Sequence, residues 1–285
     1  MPIVIENLSY TYMKKTPYEK KALDGVTFTI EDGDTFGIIG ATGSGKSTLI
    51  QHLNALIRVT EGKIVVNGMN LSEKKLDLKR LRSTVGMVFQ YPEYQLFEET
   101  VEKDIAFGLK NIGVAEAEIA DRVREAAELC GLDFEEVKSR SPFELSGGQM
   151  RRAAIAGVIA MRPEILVFDE PTAGLDPRGR AELLSLIRKL KDSCSKTIIM
   201  VSHNMDEIAA MCNRVAVLDE GRLAACDAPR KLFFDETMLS SLGLDVPTAV
   251  KLANLLKKRG VELRPAMTPP AFAEAFWEYY IEARR

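Results

Sequence analysis

The run Gly40-Ala41-Thr42-Gly43-Ser44-Gly45-Lys46-Ser47-Thr48 decides the fold, because it fits the phosphate-cradling pattern G-x-x-x-x-G-K-[ST] and stands between two segments of different character. Before it, Thr35-Phe36-Gly37-Ile38-Ile39 reads as a buried strand. After it, Thr48-Leu49-Ile50-Gln51-His52-Leu53 reads as a helix. A strand feeding a glycine-rich turn and then a helix aims backbone N–H groups and a helix N-terminus at phosphate oxygens. In this pattern the Lys46 ammonium reaches the β- and γ-phosphates and the Ser47 hydroxyl is a ligand for Mg²⁺. Gly43 and Gly45 permit backbone angles and close approaches that a Cβ would obstruct. All nine residues are expected at a nucleotide site.

A second motif makes the generic loop specific. Leu145-Ser146-Gly147-Gly148-Gln149 precedes the helix-like Met150-Arg151-Arg152-Ala153-Ala154-Ile155-Ala156. At about 5% usage per residue type, a given five-residue string arises by chance roughly once in several million positions, so coincidence is a poor account. The string resembles the signature of the ATP-binding-cassette ATPases. Ser146 and the Gly147-Gly148 backbone at a helix start form a second anion-binding surface. The resemblance implies that this surface, with Gln149, serves the nucleotide of the opposite subunit.

The remaining motifs follow the order of that family. Ile165-Leu166-Val167-Phe168-Asp169-Glu170 is an apolar strand ending in two carboxylates and resembles Walker B. The resemblance implies that Asp169 holds Mg²⁺ and that Glu170 polarises the attacking water. Gln90, after Val85-Gly86-Met87-Val88-Phe89, is similar to the glutamine that senses metal and water beside a transporter-facing groove. Ala173-Gly174-Leu175-Asp176 resembles the D-loop, with Ala-Gly where many members have Ser-Ala, and Asp176 is expected to cross a dimer interface. His203, after Thr197-Ile198-Ile199-Met200-Val201, is similar to the histidine that touches the γ-phosphate. The other histidine, His52, reads as a helix-face residue. For the adenine ring, Tyr12 at the end of Leu8-Ser9-Tyr10-Thr11-Tyr12 occupies the family's stacking position, with Tyr10 on the same strand face and Tyr18 a weaker competitor.

Composition limits the other classes. The chain has 285 residues, 46% hydrophobic and 28% charged, with a formal net charge of −3, enough for a large core and no electrostatic footprint for nucleic acid. Its longest apolar stretch, Ala153 to Met161, is far shorter than the ~18–20 residues that cross a bilayer, so the chain is expected to be soluble and cytoplasmic by itself. The four cysteines form no C-x-x-C pair, which indicates neither a zinc site nor a disulfide framework.

Strands at the start and strand–helix alternation around 160–220 read as an α/β P-loop core of the cassette type with N-terminal antiparallel strands. The expected organisation is a nucleotide-binding core over 1–90 and 159–225, a helical signature subdomain over 91–158, and a C-terminal dimerisation domain over 226–285. In the insertion, Glu116 to Leu129 reads as a helix buried along Ile119, Val123, Ala126 and Ala127 and stopped by Gly131. Pro247 to Lys258 and Pro269 to Arg284 read as two tail helices, the last bearing a stripe of Phe272, Phe276, Tyr279 and Tyr280. Either the preceding helix or the tail of a sister subunit must cover that stripe.

The resemblance narrows further. Gln90-Tyr91-Pro92-Glu93-Tyr94-Gln95-Leu96-Phe97-Glu98-Glu99-Thr100-Val101, with Phe107-Gly108 and Phe143-Glu144, is similar to the ATP-binding subunits of energy-coupling factor transporters, and Met150-Arg151-Arg152 with Asp169 to Pro177 to the second of their two types. This implies an ATPase working with ATP and Mg²⁺ as a head-to-tail homo- or heterodimer at the cytoplasmic face of the membrane. Its implied partners are a sister cassette ATPase, a transmembrane coupling protein and a substrate-binding membrane protein for a vitamin or metal ion. Tyr91, Tyr94, Leu96 and Phe97 are expected to receive a helix of the membrane protein. A cassette ATPase of another transporter, or one acting in DNA repair or ribosome function, is the alternative. The single cassette, the lack of coiled-coil arms and the lack of a basic surface weigh against the soluble kind. A P-loop kinase or GTPase leaves Leu145 to Gln149 unexplained.

Overall fold

The computed structural model describes residues 2–282. The chain begins with β1 (Ile3–Tyr12), β2 (Lys20–Ile30) and β3 (Thr35–Gly40), enters α1 (Lys46–Leu53), and returns through β4 (Glu61–Val66) and the short β5 (Met69–Asn70). α2 (Leu78–Thr84) and β6 (Val85–Val88) follow. The chain then leaves the sheets for α3 (Val101–Ile112), α4 (Glu116–Leu129), α5 (Phe134–Val137) and α6 (Gly147–Ile159). Alternation resumes with β7 (Ile165–Asp169), α7 (Pro177–Ser193), β8 (Thr197–Val201), α8 (Met205–Met211), β9 (Arg214–Asp219) and β10 (Arg222–Asp227). The tail holds α9 (Pro229–Phe233), α10 (Glu236–Ser241), α11 (Thr248–Lys257) and α12 (Pro269–Glu282).

The strands form two sheets. One has four antiparallel strands in the order β2-β1-β4-β5; the other has six in the order β10-β9-β3-β8-β7-β6, parallel except for β10. Every residue of β7 and β8 is buried, the continuous apolar pattern of a parallel strand covered on both faces. Burying one such Ile, Val or Phe side chain contributes about 1.5–3 kcal/mol. The Phe28 and Phe36 rings stack at 5.5 Å and join the antiparallel sheet to the parallel one. Register sets the rim: Val201 lies opposite both Ile38 and Asp169, so the chain leaves β8 and β7 at one level and β3 two residues beyond it. In an open parallel sheet this carboxyl edge is where ligands bind.

The helix expected over Glu116–Leu129 has those bounds, buries Ile119, Val123, Ala126 and Ala127, and is closed by Gly131 at φ 77°. There the Gly131 N–H donates to Glu128 O at 2.9 Å and the Leu132 N–H to Ala127 O at 3.0 Å. Pro247 is the cap of α11 rather than its first turn. α12 is described through Glu282, and the expected end at Arg284 lies outside the described residues. Phe233, Leu239 and Val250 are fully buried in the core shared with α7 and α8, so the tail is anchored on the α/β body. α11 does not cover the whole aromatic stripe: Phe276 is 41% and the neighbouring Trp277 61% exposed.

Candidate nucleotide site

The phosphate loop joins β3 to α1 as its sequence implies. Gly45 is the residue before α1 and holds φ 102°, and a Cβ there would press on the Ala22 carbonyl, so only glycine fits. Ala41, Thr42, Gly43 and Ser47 are exposed, Gly40 and Ser44 are buried, and Thr48 packs beneath. Lys46 Nζ donates to Gly40 O at 2.8 Å and Ala41 O at 2.9 Å, which folds the ammonium over the loop. Burial lowers its pKa, while the charges of Glu170 and Asp169 pull it back up. Tyr12 hydrogen-bonds Thr48 Oγ1 through its hydroxyl at 3.1 Å. A cavity of about 170 Å³ lies between Tyr12, Lys20, Ala22 and the loop residues Gly43 and Gly45 to Thr48. Sites that enclose a ligand usually measure ~300–1,000 Å³, so this cavity is small for one that encloses a ligand by itself. A larger groove of about 330 Å³, beside Arg122, Glu125, Ile159 and Cys194, contains none of the motif residues.

Three neighbouring strands deliver the acidic and basic groups. Asp169 ends β7 almost fully buried; burial raises its pKa, opposed by a hydrogen bond from Ser47 and by the Lys46 charge. Glu170, the next residue, has a left-handed φ of 48°, a conformation that costs ~1–3 kcal/mol in a non-glycine residue and is kept where the surroundings enforce it. Its N–H donates to Val201 O at 2.9 Å, and its Oε2 lies 2.7 Å from His203 Nδ1. Gln90 follows β6 and is exposed. The Ser47 hydroxyl against the Asp169 carboxylate is a hard-oxygen pair that fits Mg²⁺, a cation held by one or two carboxylates plus substrate phosphates. Among the described residues there is no cluster of three or more His, Cys, Asp and Glu for a metal held by protein alone.

The Ser146–Gln149 segment lies at the start of α6. Ser146 Oγ accepts from the Gln149 N–H at 3.3 Å and Gln149 Oε1 accepts from the Ser146 N–H at 3.0 Å, a reciprocal capping box. Ser146, Gly147 and Gly148 are exposed. A Cβ added at Gly147 or Gly148 meets nothing within 4 Å, and neither has positive φ. The chain's own packing therefore does not require glycine at either position. Asp176 is exposed and caps α7, accepting from the Gly179 N–H at 2.7 Å.

Residues 23–173 match the family described as ABC transporter. The chain belongs to the ATP-binding-cassette transporter family. This cassette is 51% identical over 265 residues to the energy-coupling factor transporter ATP-binding protein EcfA2 of Caldanaerobacter subterraneus subsp. tengcongensis, covering 93% of this chain and 92% of that one. It is 51% identical over 263 residues to the EcfA2 protein of Clostridium perfringens, with 92% of each covered. At this likeness it belongs with the energy-coupling factor ATP-binding proteins. The structure of cbiO1 from Clostridium perfringens, part of the ABC transporter complex cbiONQ, superposes with a TM-score of 0.73 at 34% identity over 88% of this chain and 98% of that one. The dimeric ATP-binding cassette MJ0796 in a post-hydrolysis state, bound to ADP and Pi, gives 0.70 at 28% identity over 80% and 98%. The cassette is an ATPase, binding and hydrolysing ATP.

Some of the cassette's wiring is absent from its motifs. Arg151, 6% exposed on α6, donates to both Glu93 oxygens at 2.8 and 2.9 Å and to the Pro171 and Ala173 carbonyls at 3.3 Å. One side chain thus ties the signature helix to the segment after Gln90 and to the D-loop. Burial pushes the Glu93 pKa up, but the Arg151 hydrogen bonds and charge outweigh it and hold the carboxylate below its usual range. Sequence offered only the pair Arg151-Arg152, with nothing to say which of the two turns inward. Gly174, at φ 75°, has the Tyr91 ring against it, which accounts for the glycine in this D-loop. Leu96 corrects an expectation: it is 5% exposed and belongs to the core, leaving Tyr91, Tyr94 and Phe97 as the outward groups. His52 is fully buried, its Nδ1 2.7 Å from Thr48 O and its ring edge-on to Tyr10 at 5.1 Å. It is a packed residue, with burial lowering its pKa.

Proposed function

We propose that this cassette is the ATP-hydrolysing subunit energising an energy-coupling factor importer of a vitamin or transition-metal ion. The observation that carries the reading is a divided site. Residues 40–48, Asp169, Glu170 and His203 converge on one rim with an open side, while Ser146, Gly147 and Gly148 are exposed elsewhere, glycines that nothing in the chain demands. Two cassettes set head to tail complete each other's site. Tyr12 stacks on adenine, residues 40–48 grip the phosphates, and Ser146 to Gln149 of the opposite subunit close over the γ-phosphate. Asp176 lies at the joint. Ser47, Asp169 and Gln90 would hold Mg²⁺, which would supply neutralisation of the phosphate charge. Glu170 Oε2 takes the proton of the attacking water, and His203 orients that carboxylate and meets the γ-phosphate.

Residues 1–90 and 159–225 act as the nucleotide-binding core, 91–158 as the signature subdomain and 226–285 as the dimerisation unit. Exposed Leu252, Leu255, Phe276 and Trp277 give the tail an apolar surface for a sister tail. Tyr94 at 84%, Phe97 at 56% and Phe143 at 68% exposure offer the signature subdomain's anchors for a transmembrane coupling protein, which carries the substrate-binding membrane protein. No described helix is long and apolar enough to cross a membrane, which suits a peripheral subunit on the cytoplasmic face. Purification from membranes tests this. The wild-type chain should bring a sister cassette and both membrane proteins, and Tyr94→Glu should lose the membrane proteins while staying folded and binding ATP. A wild-type chain recovered without any membrane protein contradicts the assignment.

A further inference from the structure

Glu207, in the first turn of α8, is 2% exposed, and no sequence motif accounts for it. Its Oε1 accepts from Thr172 Oγ1 at 2.7 Å and lies 3.4 Å from Arg180 Nε; its Oε2 accepts from Ser202 Oγ at 3.0 Å. The backbone N–H of Glu207 donates to Asn204 Oδ1 at 3.4 Å. A carboxylate survives burial only where hydrogen bonds and an opposite charge compensate it. On the same helix Met205 and Ile208 are buried apolar residues, so packing alone asks for nothing charged at this position.

The partners explain the charge. Thr172 follows Glu170 and Pro171 on the loop after β7; Ser202 immediately precedes His203 on the loop after β8; Arg180 lies near the start of α7, just past Asp176. The same two loops meet again through Glu170 N–H to Val201 O and through Glu170 Oε2 to His203 Nδ1. Glu207 touches neither end of that catalytic contact, yet grips both loops behind it. We propose that Glu207 is a positioning residue that clamps the Glu170 loop to the His203 loop and so keeps their contact in register for hydrolysis. This rests on the roles given above to Glu170 and His203.

The clamp acts on the transition state and leaves ground-state nucleotide binding alone, which separates kcat from KM. Glu207→Gln keeps the volume but strips Arg180 of its counter-charge and turns one accepting oxygen into a donor. In the full chain it should lower kcat about tenfold or more, as small misalignments of catalytic groups do, with KM and the calorimetric ATP stoichiometry unchanged. Thr172→Val/Ser202→Ala, which deletes both hydroxyl bonds and leaves Glu207 in place, should show the same split and serves if Glu207→Gln does not fold. In a His203→Ala background either change should lower the remaining rate less than about twofold, because the group being positioned is gone. Undiminished kcat in the Thr172/Ser202 variant, or a full tenfold loss repeated in the His203→Ala background, overturns the clamp. A His203→Ala protein at wild-type rate instead contradicts the reading of the site itself, and the clamp with it.

Discussion

The phosphate loop and the signature loop are both glycine-rich helix starts, yet their glycines answer to different neighbours. At Gly45 the demand is internal: a left-handed φ and the Ala22 carbonyl exclude a side chain. At Gly147 and Gly148 the backbone is ordinary and the space is open. Glycine in a helix interior costs ~1 kcal/mol against alanine and less in the first turn, and here no contact within the chain offsets it. The first loop's glycine is explained inside the chain, whereas the second loop's glycines are not, as the proposed divided site expects. This contrast separates the substitutions that should damage binding from those that should damage only turnover.

The largest expected effect is at Glu170, on the phosphate-loop side. Glu170→Gln keeps shape but removes the proton acceptor, so hydrolysis should slow by about 10²–10⁴ while ATP still binds. Bound ATP that is not consumed should hold two cassettes together, visible as a nucleotide-dependent dimer in light scattering. Steady-state turnover near wild type would show that the proton goes elsewhere.

The two loops can then be set against each other. Lys46→Ala removes a charge that meets phosphate before and during transfer, so ATP affinity and turnover should fall together, by roughly tenfold or more in affinity. Gly148→Ala should leave affinity unchanged within about twofold and raise the stability of the chain by up to ~1 kcal/mol. It should still lower turnover about tenfold, because in the proposed head-to-tail pair the added methyl would stand where the opposite subunit's nucleotide approaches. Calorimetry, thermal unfolding and a phosphate-release assay read the three quantities. Gly148→Ala with full activity would erase the distinction between the loops.

The loops are legible because a glycine-rich turn and its helix start are contiguous backbone, and contiguous backbone is contiguous sequence. Gly40 to Thr48, Ser146 to Gln149 and Asp169-Glu170 are read as strings, and the apolar runs Ile165–Phe168 and Thr197–Val201 place them at strand ends. Groups that act through side chains meeting across the fold were not legible. Arg151 reaches Glu93 and the Pro171 and Ala173 carbonyls, and Glu207 reaches Thr172 and Ser202, contacts set by how α6 and α8 pack on the sheet edge. Leu96 looked like its aromatic neighbours and turned inward, because the short helical turn Pro92–Gln95 breaks any simple alternation along that segment. The capping box Ser146–Gln149 was available from the S-x-x-Q spacing and is a local signal of the helix start.

The effect confined to binding belongs to the base, and Tyr12 measures it. Its ring is braced edge-on by Tyr10 at 4.8 Å, Tyr10 rests edge-on against buried His52, and its hydroxyl is tied to Thr48, so one face of a rigid ring is presented beside the phosphate loop. Base–aromatic stacking of this kind is worth ~1–3 kcal/mol, which is about 5–150-fold in affinity. Tyr12→Ala should therefore weaken ATP and ADP by similar factors, since the γ-phosphate takes no part in stacking. Tyr12→Phe should bind almost as wild type, losing only the bond to Thr48. The contrast with Lys46→Ala then lies in the ligand: a phosphate defect should weaken inorganic pyrophosphate as well as nucleotide, whereas a stacking defect should leave pyrophosphate untouched. Tyr12→Ala binding ATP like wild type in calorimetry would move the adenine off this ring and leave the phosphate-loop half of the site holding phosphates alone.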